Sequence, residues 1–415
     1  MKSLMESLYR WLDRQLFRAR SFDLDLVQRL VEAAPGQQFY LGGFPAEQLE
    51  SGVRAYLGSG MALPVEVRHN ASSELIYLGQ MCLDHRSLSR SVLGVISKLP
   101  AAQAMAVRMQ ETPDSPRAVR PASPRPRSAT QLLVQLFQDS IRALSTREQW
   151  ALAVGNWCSS SRTFAAHQVI KPPPDRFWAD PFIAEIEGKR WVFFEELVYA
   201  ENRGKIAVFE LGPDGQCVGE SQRVLEAPYH LSYPFMLRDQ GRLYMIPESS
   251  ANRTVDLYVN EGRFKDWTHV KTLVAGDRLA DATVIHHDGL WWMFATRGDV
   301  GAAMHDELVI YWAATLEGDW TPHAANPVKI DARSSRPAGA MWVAEGCIHR
   351  PVQDCSARYG SNIRVQRVVE LSPTHFHEED LGSIARNGTP DALGLHTLSV
   401  CGSLGCIDLL MQLPK

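Results

Sequence analysis

The 415-residue chain lacks several things at once, and each absence removes a class of function. Its seven cysteines include no Cys-x-x-Cys pair, so neither a zinc ribbon nor a disulfide framework is indicated, and a reducing cytoplasm is the expected setting. No apolar run reaches the ~18 residues that span a bilayer. The opening stretch MKSLMESLYRWLDRQLFRAR has no unbroken apolar core of the signal-peptide kind. A net charge of −4 provides no overall basic field for nucleic acid. No G-x-G-x-x-G leads from a strand into a helix, since Leu41-Gly42-Gly43-Phe44 and Leu57-Gly58-Ser59-Gly60 have the wrong spacing. No cofactor is expected, and no metal site, because His286-His287 sits beside the turn Asp288-Gly289 and reads as solvent-facing.

What is present falls into three regions. Residues 1–108 mix helical and strand-like segments and read as a small α/β domain. Its first helix is amphipathic, with Leu4, Leu8, Trp11, Leu12 and Leu16 on one side. That helix either packs on its own domain or makes peripheral contact with a membrane. Further helices are expected over Arg20–Ala34 and Leu88–Leu99, and short strands over Gln38–Leu41 and Val53–Leu57. Residues 109–130 form a linker whose core, ETPDSPRAVRPASPRPRSAT, holds five prolines and four arginines. It reads as an extended hinge or as a segment for an acidic partner. Residues 131–148 read as a connecting helix, with Leu132, Leu133, Leu136, Phe137 and Ile141 on one face.

Residues 149–415 read as all β, and self-similarity indicates the architecture. Four segments align as they stand: WADPFIAEIEGKRWVFFEE, LSYPFMLRDQGRLYMIPES, LADATVIHHDGLWWMFATR and RPAGAMWVAEGCIHRPVQD. Each runs a strand into a turn glycine (Gly188, Gly241, Gly289, Gly346) and then into a second apolar strand. Eight residues before the glycines stand Asp180, Tyr233, Asp281 and Ala338; seven after stand Glu195, Glu248, Thr296 and Gln353. A weaker fifth copy, from Gly394, holds His396. The spacing suits four-stranded propeller blades. The expected fold is therefore mainly β: a five-bladed β-propeller with a smaller N-terminal α/β domain. A strand near Gln149–Val154 would complete the short last blade.

In a propeller, equivalent positions of successive blades converge on one funnel. Asp180, Tyr233, Asp281 and His396 begin their strands at comparable points; Glu195, Glu248 and Asp354 end the second strands. Carboxylates crowded around a narrow cavity suit glycosidic chemistry, where one must be protonated and another ionised. Trp178, Tyr229 and Tyr233 would suit sugar faces. Arg253 and Arg336 either clamp an anionic group or form inter-blade salt bridges. His230 and His396 are acid/base or structural groups.

The Trp-Ala-Asp-Pro-Phe start at 178–182 resembles the five-bladed propeller glycosidases, in the arabinanase/xylosidase and fructosidase-like clans. That resemblance implies a base or nucleophile at Asp180, with Asp281 and Glu248 the nearest matches to a modulating Asp and a proton-donating Glu. A fuller resemblance is carried by FWADPF, FFEE, HLSYPF, MIPESSANRTVDLY, DATV, RPAG, QDCS and GLHT in order. It resembles the propeller region preceding the catalytic domain of plant glucosamine inositolphosphorylceramide transferases and related uncharacterised bacterial proteins. This implies a role in glycan or glycolipid metabolism, with a glycan, glycolipid or nucleotide-free sugar as substrate. The order Asp180–Glu248–Asp281 departs from the Asp–Asp–Glu order of the arabinanases. It leaves two alternatives open: a non-catalytic glycan-binding module partnering a glycosyltransferase, and a protein-interaction scaffold.

Overall fold

The computed structural model describes residues 2–17, 37–57, 59, 62–69, 71–84, 87–110, 125–298, 303–389 and 391–415. The helix expected over 20–34 and most of the proline-rich linker lie outside the described residues.

The N-terminal region is a four-stranded antiparallel sheet in the order Phe44–Pro45, Gln37–Leu41, Leu63–His69, Leu75–Met81. It packs with helices α1 (Lys2–Phe17), α2 (Leu49–Tyr56), α3 (Leu88–Gln110) and α4 (Ala129–Ser145). Leu41, Leu49, Val53, Val65, Val67, Val92 and Val95 fill the core. The strand expected over Val53–Leu57 is instead the end of α2. Leu49, Val53 and Tyr56 recur at i, i+4 and i+7 and are all buried, a helical period that a five-residue window cannot show. Ser128 and Gln131 form a reciprocal capping box that starts α4.

From Thr146 onward the chain is β. Five sheets follow, and in sheets one to four each strand pairs with the next in sequence, except that Lys329–Ile330 in sheet three pairs back with Glu307–Ala313. Sheet one spans Arg176–Leu225, sheet two Ser232–Ala275, sheet three Leu279–Ile330 and sheet four Trp342–Ser383. The hairpins opening these four sheets turn on two residues: Glu187-Gly188, Gln240-Gly241, Asp288-Gly289 and Glu345-Gly346. Both residues of each turn have positive φ, the type I′ geometry whose twist matches the flanking strands. The repeated glycine is thus a backbone requirement.

Sheet five joins distant parts of the chain. Leu398–Cys401 pairs Leu404–Pro414, which pairs Thr146–Cys158 from Leu404↔Asn156 through Pro414↔Thr146. Thr163–Ile170 continues the sheet and Ala385–Asn387 adds a parallel edge. The two regions of the protein meet along the N-terminal sheet's last strand. Tyr77 donates its hydroxyl to Ile330 O, and the Cys82 N–H donates to Asp306 Oδ2 at 2.7 Å. Lys98 from α3 pairs with Asp306, with both side chains buried.

Candidate functional site

The first strands of sheets one, two and three each carry a β-bulge at the same place. The residues in the bulges are Asp180, Tyr233 and Asp281, with φ of 52°, 41° and 53°. Non-glycine residues rarely adopt this conformation, which costs on the order of 1–2 kcal/mol each. The hydrogen bonds made there explain why it persists. Asp408 Oδ2 accepts from the Asp180 N–H, and Asp180 Oδ2 accepts from the Tyr233 N–H. The Tyr233 hydroxyl bonds Thr283 Oγ1 at 2.8 Å and accepts from the Gly339 N–H at 2.7 Å. One buried network therefore links sheet five to one, one to two, and two to both three and the segment that precedes sheet four.

Above it lies a cavity of about 210 Å³, lined by Trp150, Phe177, Ala179, Asp180, Glu195, His230, Ser232, Glu248, Arg336, Tyr359 and His396. Six of the eleven expected site residues are on its wall: Asp180, Glu195, His230, Glu248, Arg336 and His396. Asp281 is buried behind Arg336, which binds it bidentately through Nε at 2.6 Å and Nη2 at 3.1 Å; Gln353 adds a third donor. Arg336 also donates to Met304 O and to His305 Nδ1, and lies over the Tyr359 ring. Burial, reinforced by this guanidinium, holds His305 well below the usual histidine range, so its ring is a neutral acceptor.

His396 turns one ring nitrogen to each of two carboxylates. Nε2 is 3.3 Å from Asp180 Oδ1; Nδ1 is 2.7 Å from Asp408 Oδ2, close but not aligned as a hydrogen bond. Burial opposes its charge, yet Asp408 and Asp180 raise its pKa to about 9. Asp180, His396 and Asp408 are the one set among the described residues with metal-ligand chemistry. Each ring nitrogen of His396 faces a different one of the two carboxylates.

Two carboxylates of the cavity wall, Glu248 and Glu195, have a buried oxygen without an aligned hydrogen bond. Glu248 Oε1 accepts from Ser250 Oγ at 2.7 Å, while its buried Oε2 lies 3.6 Å from Arg336 without a hydrogen bond. Glu195 Oε1 stands 3.0 Å from His230 Nε2, again without alignment. The Gly204 N–H donates to His230 Nδ1, which leaves Nε2 to carry the ring proton toward Glu195. Their proton affinities diverge. Burial pushes Glu195 up, only partly opposed by His230. For Glu248 burial is outweighed, chiefly by the Arg336 guanidinium and with help from Ser250, and the net shift is downward. Burial pushes its neighbour Asp281 up, opposed by the Arg336 guanidinium.

Four expected site residues lie elsewhere. Trp178 pairs across to Glu196 and donates to it, on the strand face opposite Phe177 and Ala179; a one-residue step reverses the face. Tyr233 is fully buried beneath the cavity. Arg253 caps a short 3-10 turn on the outer part of sheet two and donates to Gly276 O. Asp354 binds Ser356 and faces Arg364, one residue past the inward Gln353. Tyr229 packs in a different apolar cluster. The aromatic walls are Trp150, Phe177 and Tyr359, and Trp150 sits 4.2 Å from the His396 ring. None of these three occupies a repeat offset. Asp408 did leave a signal: a lone carboxylate in Cys406-Ile407-Asp408-Leu409-Leu410, an otherwise apolar strand.

The family described as "Glucosamine inositolphosphorylceramide transferase 1, N-terminal" matches residues 140–388. Glucosamine inositolphosphorylceramide transferase 1 of Oryza sativa subsp. japonica is 31% identical over 210 residues, 49% of this chain and 28% of that protein. Its Arabidopsis thaliana counterpart is 28% identical over 246 residues, 58% of this chain and 32% of that protein. The chain thus spans about a third of the length of the curated relatives it matches. Among solved structures, an alpha-L-arabinofuranosidase from Podospora anserina, in complex with cellotriose, aligns at TM-score 0.45 and 12% identity, covering 62% of this chain and 97% of that one. RS223-Beta-xylosidase aligns at TM-score 0.43 and 12% identity, covering 58% and 93%.

Proposed function

Because this chain belongs to the glucosamine inositolphosphorylceramide transferase 1 N-terminal family, we propose that it is a carbohydrate-active protein of glycan or glycolipid metabolism, its five sheets serving as the blades of a propeller around the cavity. The reaction proposed is cleavage or transfer at a glycosidic bond. One observation carries this: Glu195 and Glu248 hold matching positions in adjacent sheets, line one cavity, and are pushed in opposite directions in proton affinity. That divergence is what an acid and a base sharing a site require.

In this reading Glu195 enters protonated and donates to the leaving oxygen. Glu248 is the ionised partner, acting on the sugar carbon or on an attacking hydroxyl. Arg336 and His396 balance the negative charge, and Phe177, Trp150 and Tyr359 provide faces for a sugar ring. Asp180 positions His396 and the bulge of its strand. The test is turnover on a panel of aryl glycosides and glycolipid head groups. Glu195→Gln should lower kcat by roughly 10²–10⁴-fold with sugar binding retained. Full activity in that variant overturns the assignment.

A second reading, a non-catalytic glycan-binding module that partners a glycosyltransferase, is favoured by a different observation. Asp180 and Asp281 are already engaged by Thr397, Tyr233, His396, Arg336 and Gln353, which suits support more than reaction. Sugar binding without turnover by the unaltered chain selects this reading.

A further inference from the structure

Helices α1 and α4 pack against each other, and each has two apolar faces. Toward the core, α4 buries Ala129 and Leu132, with Leu133 and Leu136 partly covered. Its other stripe, Val134, Phe137, Ile141 and Leu144, is exposed, Phe137 at 67% and Leu144 at 77%. On α1 Tyr9 is buried, while Leu4, Leu8 and Trp11 stand exposed at i, i+4 and i+7. Single exposed apolar residues are ordinary; two helically spaced stripes on adjoining helices mark a covered surface.

We propose that this face lies on an anionic lipid bilayer. Charge favours lipid over a second copy of the chain. Residues 125–147 carry Arg125, Arg127, Arg142 and Arg147 against a single acid, Asp139, in a chain whose net charge is −4; Asp139 accepts from Gln135. Basic residues flanking an apolar helix face are the signature of interfacial contact. No described helix is long and apolar enough to cross a membrane, so the helices lie along the surface. Position agrees. Leu144 precedes Trp150, a wall of the cavity, by six residues, and Thr146 onward is extended. At the rise of a strand that is about 20 Å, placing the cavity within reach of a lipid head group. This last link rests on the carbohydrate reading; the docking does not.

The test is flotation of the full chain with vesicles of phosphatidylcholine, alone or mixed with phosphatidylserine. The chain should float with the mixed vesicles, less with phosphatidylcholine alone, and less as salt rises. The double variant Phe137→Ser/Leu144→Ser should lower partitioning at least about tenfold. Arg142→Gln should lower it about fivefold on the anionic vesicles only. Failure of the unaltered chain to float overturns the proposal, as does a double variant that floats equally well. So does a lipid-independent dimer that the double variant dissolves, which would make the face a contact between copies. Should the variants unfold on heating earlier than the parent, the lipid and salt series on the unaltered chain still decides. Sugar binding in lipid-free solution should not change, so failure here is distinguishable from failure of the carbohydrate reading.

Discussion

His396 is a buried cation held between Asp408 and Asp180, and its charge ties the stability of the site to pH. Its pKa is raised from the ordinary 6.5 to about 9, so the folded state binds the proton more tightly than the unfolded chain. The stabilisation is present in full below about pH 6.5 and is lost as pH rises through about 9. It amounts to on the order of 3 kcal/mol at most. Urea midpoints measured from pH 6 to 10 should fall across that window, and His396→Asn should flatten the fall; an equal slope in that variant refutes the assignment. At this scale the clearest signal in the sequence is a shared repeat offset. Asp180, Glu195 and Glu248 hold such offsets and line the cavity. Trp178 was misassigned because strand alternation makes a one-residue step decisive. Tyr233 shares the offset of Asp180, which predicts a ligand contact, yet its ring reaches Thr283 and Gly339 and serves as a central tie.

The elements that were legible are those fixed by local backbone chemistry. Type I′ turns need a second residue with positive φ, so glycine recurs and marks the hairpins. Those glycines have open space around the missing side chain: nothing lies within 4 Å of a Cβ built at Gly241. Gly241→Ala should therefore cost only backbone strain, about 1 kcal/mol. Gly155 is different. It sits at a bulge in Thr146–Cys158, and a Cβ there would meet Ala165 O at 2.1 Å. Gly155→Ala must move a neighbouring strand and should cost about 3 kcal/mol or more. Comparison of the two urea midpoints checks this; equal shifts would refute it. Helix α2 was missed because five apolar-rich residues look alike in either period, and only its packing against Leu41 separates them.

Across the whole molecule, the N-terminal sheet is held to the β region by one buried ion pair among several backbone contacts. Lys98 reaches Asp306 and Ala303 O, and Asp306 also accepts from the Cys82 N–H. Lys98→Ala would strand a buried carboxylate, a loss of about 3–5 kcal/mol. Limited proteolysis should then cut between the two regions faster, whereas unchanged cleavage would show that the ion pair does not hold them. This junction was not legible, because Lys98 and Asp306 are separated by 208 residues and belong to no repeat. Sheet five has a consequence in time. Thr146–Cys158 leaves the ribosome almost 250 residues before its partner Leu404–Pro414. At roughly 5–20 residues per second the interval is tens of seconds. Throughout it, Ala151-Leu152-Ala153-Val154, buried in the finished fold, has an unpaired strand edge. The nascent chain carries this open edge until Leu404–Pro414 has been made, and misassociation there is the hazard of the whole interval.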